Sequence, residues 1–120
     1  MSHVATLHTR IHDPAAITAA CKRLGLAEPV HGKARLYSGE AEGLLLQLPD
    51  WRYPAVINVL TGLVRYDNFE NRWGDQQHLD RFLQMYAVER AKLEARKKGH
   101  QVSEQSLQDG SIKVQIIEGP

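Results

Sequence analysis

Residues 13–25 read DPAAITAACKRLG, and this stretch sets the pattern for the rest of the chain. Asp13 has the side-chain acceptor of a helix N-cap, and Pro14 suits the first helical position, where a missing N–H costs nothing. Ile17, Ala20, Cys21 and Leu24 then recur at the three-and-four spacing of one helical face. Gly25 is the residue best suited to the left-handed turn that closes a helix. Start, period and stop agree on an amphipathic helix beginning at Pro14.

Upstream, Val4 to Ile11 alternates. Ala5, Leu7 and Ile11 fall on one side, and Thr6, His8 and Arg10 on the other, which reads as a half-buried strand. Downstream, residues 26 to 68 read as strands and turns. Ala34 to Ser38 is a short strand, and Gly39-Glu40-Ala41-Glu42-Gly43 a turn or loop. Leu44, Leu46 and Leu48 share a face opposite Leu45 and Gln47, and Pro49-Asp50 ends that strand. Pro54 to Leu60 and Leu63 to Tyr66 form a hairpin about Thr61-Gly62. Asp67 to Gly74 (DNFENRWG) is a polar loop with two aromatics.

Asp75 is a second N-cap. Leu79, Phe82, Leu83, Tyr86 and Leu93 form an apolar stripe, which Ala87 widens. Lys92, Arg96, Lys97 and Lys98 suit the negative end of the helix dipole before Gly99 closes the element. A helix over about 76 to 98 would be roughly 35 Å long, about twice the usual length. Either its C-terminal half projects beyond the sheet or it packs on something else. Gln101 to Leu107, an Asp109-Gly110 turn and Ile112 to Glu118 give a closing hairpin. The expected fold is α+β, with a mostly antiparallel sheet, both helices on one face and the order β-α-β-β-β-β-α-β-β. Residues 1–120 read as a single domain.

Composition narrows the function classes. Fifteen Lys+Arg against fourteen Asp+Glu leave a net charge of +1, so no global field draws nucleic acid or anionic membrane. The single cysteine, Cys21, excludes an internal disulfide framework and falls on the apolar side of its helix, as a structural thiol would. The N-terminus has no basic region followed by an apolar run, and nothing is long enough to span a bilayer, so a cytoplasmic protein is expected. Neither a metal nor another cofactor is expected. His8 and His12 would lie about 13 Å apart on a strand, too far to share an ion. Gly-x-Ser-x-Gly, P-loop and Gly-x-Gly-x-x-Gly motifs are absent, and no catalytic residues are assigned.

The richest segment is Arg65-Tyr66-Asp67-Asn68 through Arg72-Trp73-Gly74. Aromatic and arginine side chains combine large apolar area with directional donors, the chemistry of binding hot spots. They could equally stack single-stranded bases with arginine on the phosphates. Alternatively, Tyr66 and Trp73 fill a corner between hairpin and helix while Arg72 pairs locally. Trp51-Arg52-Tyr53 repeats the same chemistry in the preceding loop. The candidate binding residues are His3, Arg65, Tyr66, Asp67, Arg72 and Trp73, the first placed on the core side of the opening strand. The expected partner is a protein, or a second copy of the chain. Single-stranded nucleic acid is one alternative, and a small ligand held between sheet and helices by His3, Tyr66 or Asp67 is another.

The start Met1-Ser2-His3, the segments Arg65-Tyr66-Asp67-Asn68 and Arg72-Trp73-Gly74-Asp75, and the helical Tyr86-Ala87-Val88-Glu89 carry a resemblance. So does the ending Gly99-His100-x-Val102-x-Glu104-Gln105 with Asp109-Gly110-Ser111-Ile112. Together these resemble the family of uncharacterised proteins named for plastid hypothetical reading frame thirty-five, found in cyanobacteria, plastid genomes and other bacteria. The resemblance implies one complete domain and brings no activity, cofactor or catalytic residue with it.

Overall fold

The computed structural model of the chain describes residues 4–37 and 39–118, so the candidate residue His3 lies outside the described residues. Asp13 caps the first helix as its sequence requires: Oδ1 accepts from the amides of Ala15 and Ala16 at 3.0 and 3.4 Å. Helix α1 spans Pro14–Leu24, and Gly25 ends it with φ 72°. Strand β1 (Ala5–His8) precedes it. β2 (Val30–Leu36), β3 (Gly39–Leu46), β4 (Ala55–Asn58) and β5 (Leu63–Tyr66) follow. Helix α2 (Gln76–Lys97), β6 (Gln101–Ser106) and β7 (Ile112–Ile117) complete the order expected from the sequence.

The first five strands form one antiparallel sheet in the order β1-β5-β4-β3-β2, and β6 and β7 form a separate hairpin. The class is therefore α+β, with its strands divided between two sheets. Both helices lie on one face of the large sheet. Ile17 and Cys21 of α1 and Leu79 and Phe82 of α2 pack with Leu46, Ala55, Ile57 and Val64 in one core cluster. A large side chain buried in this way contributes about 1.5–3 kcal/mol.

The opposite face carries a second, smaller cluster of Ala34, Leu36, Ala41 and Val56, with Val4, Leu45 and Tyr53 packed against it. It exists because the β2–β3 hairpin bends across this open face. β3 pairs with β4 only through Leu44, Leu45 and Leu46, whereas it pairs with β2 from Gly39 to Leu45. Gly43 stands at the divergence. A Cβ there would run into the carbonyl of Ile57, so only glycine lets β3 pass so close to β4. The expected loop over Gly39 to Gly43 is thus strand, and the reversal falls between Leu36 and Gly39. Glycines at both ends suggested a turn. The alternation within the segment, with Glu40 opposite Arg35 and Glu42 opposite Lys33, instead suits a cross-strand ladder.

The long helix finds its cover inside the chain. Leu93 of α2 and Ile112 of β7 both pack against the main core. Lys92 Nζ donates to Glu104 at 2.9 Å and Gln84 Nε2 to the Gly110 carbonyl at 2.9 Å. Arg23 from α1 reaches the same Glu104 with two hydrogen bonds, so the β6–β7 hairpin is clamped to both helices.

Candidate functional site

The loop after β5 is held in an unusual shape. Phe69, Glu70 and Asn71 have φ values of 44°, 53° and 74°, three successive residues in the left-handed region. That conformation costs roughly 1–2 kcal/mol per residue, so local bonds must hold it. Asp67 Oδ1 accepts from the Phe69 amide at 3.3 Å, and Asn71 Oδ1 accepts from the Gln76 amide at 2.8 Å. Trp73 N donates to the Asn68 carbonyl at 2.9 Å, and Asn68 Nδ2 donates to Gln76 Oε1 at 2.9 Å.

The loop is also tied to the segment that follows β3. Arg52 N donates to the Trp73 carbonyl at 2.8 Å, and Trp51 Nε1 donates to the carbonyl of Asp75 at 3.0 Å. The Trp51 indole lies flat on Gly74, where an added Cβ would stand 2.5 Å from the ring. Asp75 then caps α2 through its Oδ1, which accepts from Gln77 N at 2.9 Å.

These ties assemble an aromatic–arginine cluster from three separate parts of the chain. Phe69 stacks on half-buried Trp73 with ring centroids 4.7 Å apart and an interplanar angle of 24°. Tyr37, from the β2–β3 turn, tilts against Trp73 at 5.2 Å, and Tyr53 meets it edge-on at 5.7 Å. The Arg52 guanidinium lies over Trp73 at 5.0 Å, and that of Arg72 over Phe69 at 5.1 Å. Both arginines are exposed, and Tyr37 keeps 57% of its surface in solvent.

The expected patch is divided by the sheet. Arg65 and Tyr66 are neighbours on a strand and point to opposite faces. Tyr66 joins the helix-side core 5.9 Å from Trp51. Arg65 is exposed on the open face, opposite Val56 and Thr6. Asp67 is fully buried at 0% exposure; one oxygen is used in the loop and the other, Oδ2, has no hydrogen-bond partner among the described residues. Of the five candidates among the described residues, Arg72 and Trp73 enter the cluster and Arg65, Tyr66 and Asp67 do not. Arg52 and Tyr53, flagged by the repeated Trp-Arg-Tyr chemistry, do enter it, as does Phe69, noted in the sequence as an aromatic of the loop but not among the six candidates, while Tyr37 carried no reading. The sequence signal of Tyr37 is an aromatic next to a reversal, which does not say what the reversal faces.

Other reactive groups are committed elsewhere. Burial pushes the Cys21 thiol up to about 11, with Glu28 adding to the shift, so it stays a protonated packing group at neutral pH. His12 Nδ1 lies 2.7 Å from the Val59 carbonyl and His78 Nδ1 3.0 Å from that of Pro49. Among the described residues, no three His, Cys, Asp or Glu side chains gather as metal ligands would. No helix among them is long and apolar enough to cross a membrane. No family model, curated protein or solved structure matches the chain.

Proposed function

We propose that the chain is a protein-binding module and that the cluster of Tyr37, Arg52, Tyr53, Phe69, Arg72 and Trp73 is its contact surface. One observation carries this reading. Two exposed guanidiniums rest on aromatic rings, at 5.0 and 5.1 Å, on a loop held in a costly backbone shape. Neither is in an ion pair among the described residues. A carboxylate on a partner would give each arginine a charge-assisted bond while the ring beneath keeps it in place. The overlong helix no longer argues for an external partner, because the β6–β7 hairpin covers it.

Stacking of single-stranded bases is less well supported. Trp73 already has Phe69 stacked on it and Arg52 over it, which leaves little ring face for a base.

A photo-crosslinking residue at Tyr37 tests the proposal in the cells that make the protein. A discrete protein adduct is expected from Tyr37 and none from the same probe at Leu107, on the far hairpin. Arg52→Glu with Arg72→Glu should abolish the adduct. A strict monomer by light scattering that yields no adduct rejects the reading. Oligonucleotide binding at low salt that is lost in the double variant would replace it with the nucleic-acid one.

A further inference from the structure

Strand β2 is the outer edge of the five-stranded sheet, and among the described residues no strand pairs with its far side. Its sequence, VHGKARL, places His31, Lys33 and Arg35 on one face at alternate positions. All three are exposed, and the His31 and Lys33 side chains keep 68% and 72% of their surface in solvent. An open edge of seven residues is a template for another strand, and proteins ordinarily blunt such edges.

The inner neighbour shows which strand suits this edge. β3 sets Glu42 opposite Lys33 and Glu40 opposite Arg35, so an alternating acidic strand already pairs with one side of β2. Its neutralisation of the basic row is incomplete. Glu42 lies 4.0 Å from both His31 and Lys33, which therefore share one carboxylate. Arg35 is in no ion pair among the described residues.

A second copy of the chain is the wrong occupant. Pairing two β2 edges about a two-fold axis normal to the sheet keeps odd-numbered residues opposite odd-numbered ones. Every such register centred between His31 and Arg35, which are the ones that pair most of β2, sets members of the basic row against one another, and like charges directly opposite are destabilising. We infer that β2 accepts an extended segment of a different protein, one carrying carboxylates at alternate positions, as an added strand. Main-chain bonds would supply affinity, and the Glu or Asp residues opposite His31, Lys33 and Arg35 would supply register.

The inference goes beyond the proposed function by adding a second surface and stands without it. The two surfaces are nevertheless continuous, because β2 leads directly into Tyr37 and so to Trp73. A segment added along β2 would arrive at the cluster.

The test uses the full chain and a fluorescein-labelled peptide alternating Glu and Val, with alternating Lys and Val as control. The acidic peptide should raise fluorescence anisotropy, and amide exchange should slow at alternate residues of β2. Lys33→Glu with Arg35→Glu should weaken binding roughly tenfold or more, with the circular dichroism spectrum unchanged. Arg52→Glu with Arg72→Glu should retain protection along β2. Failure of the acidic peptide to bind, equal binding of the basic peptide, or protection elsewhere than β2 overturns the inference and leaves the cluster's crosslinking test standing. If the Lys33/Arg35 variant misfolds, Lys33→Gln replaces it, and unchanged affinity there also counts against the proposal.

Discussion

At the scale of single residues, this surface depends on close approaches that side chains would block. Gly74 is the clearest case, since the Trp51 indole occupies the space a Cβ would need. Trp51 in turn donates to the Asp75 carbonyl, so displacing it disturbs the start of α2 and the loop that presents Trp73. Gly74→Ala is therefore expected to destabilise the protein by about 1–3 kcal/mol, the usual cost of overpacking. Urea unfolding followed by tryptophan fluorescence reads this directly, and an unchanged midpoint would show that Trp51 gives way without cost. The same scale explains why the five sequence candidates among the described residues do not stay together. Arg65 and Tyr66 are adjacent, and a period of two sends neighbours in a strand to opposite faces. That separation was already legible from the sequence once β5 was assigned.

At the scale of elements, the chain's punctuation was readable because it is local. The Asp13-Pro14 and Asp75 starts, the turn residues Gly25 and Gly99 and the Asp109-Gly110 reversal all act on neighbours in the chain. The β2–β3 hairpin was harder. Its glycines mimic a loop, while its alternation and opposed charges make it a ladder. The apolar period sets the length of α2 but leaves its cover open between projection and packing, and Glu104, which meets both helices, decides for packing. If the hairpin is what shields the last turns of α2, removing residues 101–118 should release them selectively. Amide exchange around Lys92 to Lys97 should quicken by roughly tenfold or more while Leu79 to Tyr86 stays protected. Uniform exchange along the helix would mean that the hairpin is not its support.

At the scale of the whole molecule, Glu104 links three elements. Its carboxylate accepts from Arg23 of α1 and from Lys92 of α2, and these bonds hold it down at about 2, well below its ordinary 4.5. A carboxylate depressed in the folded state contributes stability that is fully present above the unfolded value. That stability drains away as pH falls from about 4.5 toward 2. Because the group keeps some contact with water, its contribution is about 1–2 kcal/mol rather than the full shift. Glu104→Gln should therefore be less stable than the parent at pH 7, and the difference should shrink steadily below about pH 4.5. Thermal unfolding of both proteins across that range checks the sign. A constant gap would place the effect in packing rather than charge.

The sequence by itself determined the order of the elements, the ends of both helices and the α+β class, because caps, periods and tight turns are settled within a few residues. Tertiary structure alone decided that the strands divide into two sheets and that the β2–β3 hairpin bends over the open face. It also decided that Tyr37, Tyr53 and Trp73 meet from three distant segments. Those outcomes depend on which apolar faces can be buried together, and on a close approach such as that of Gly43 to Ile57. Such contacts join residues far apart in the chain, so neither period nor propensity encodes them locally.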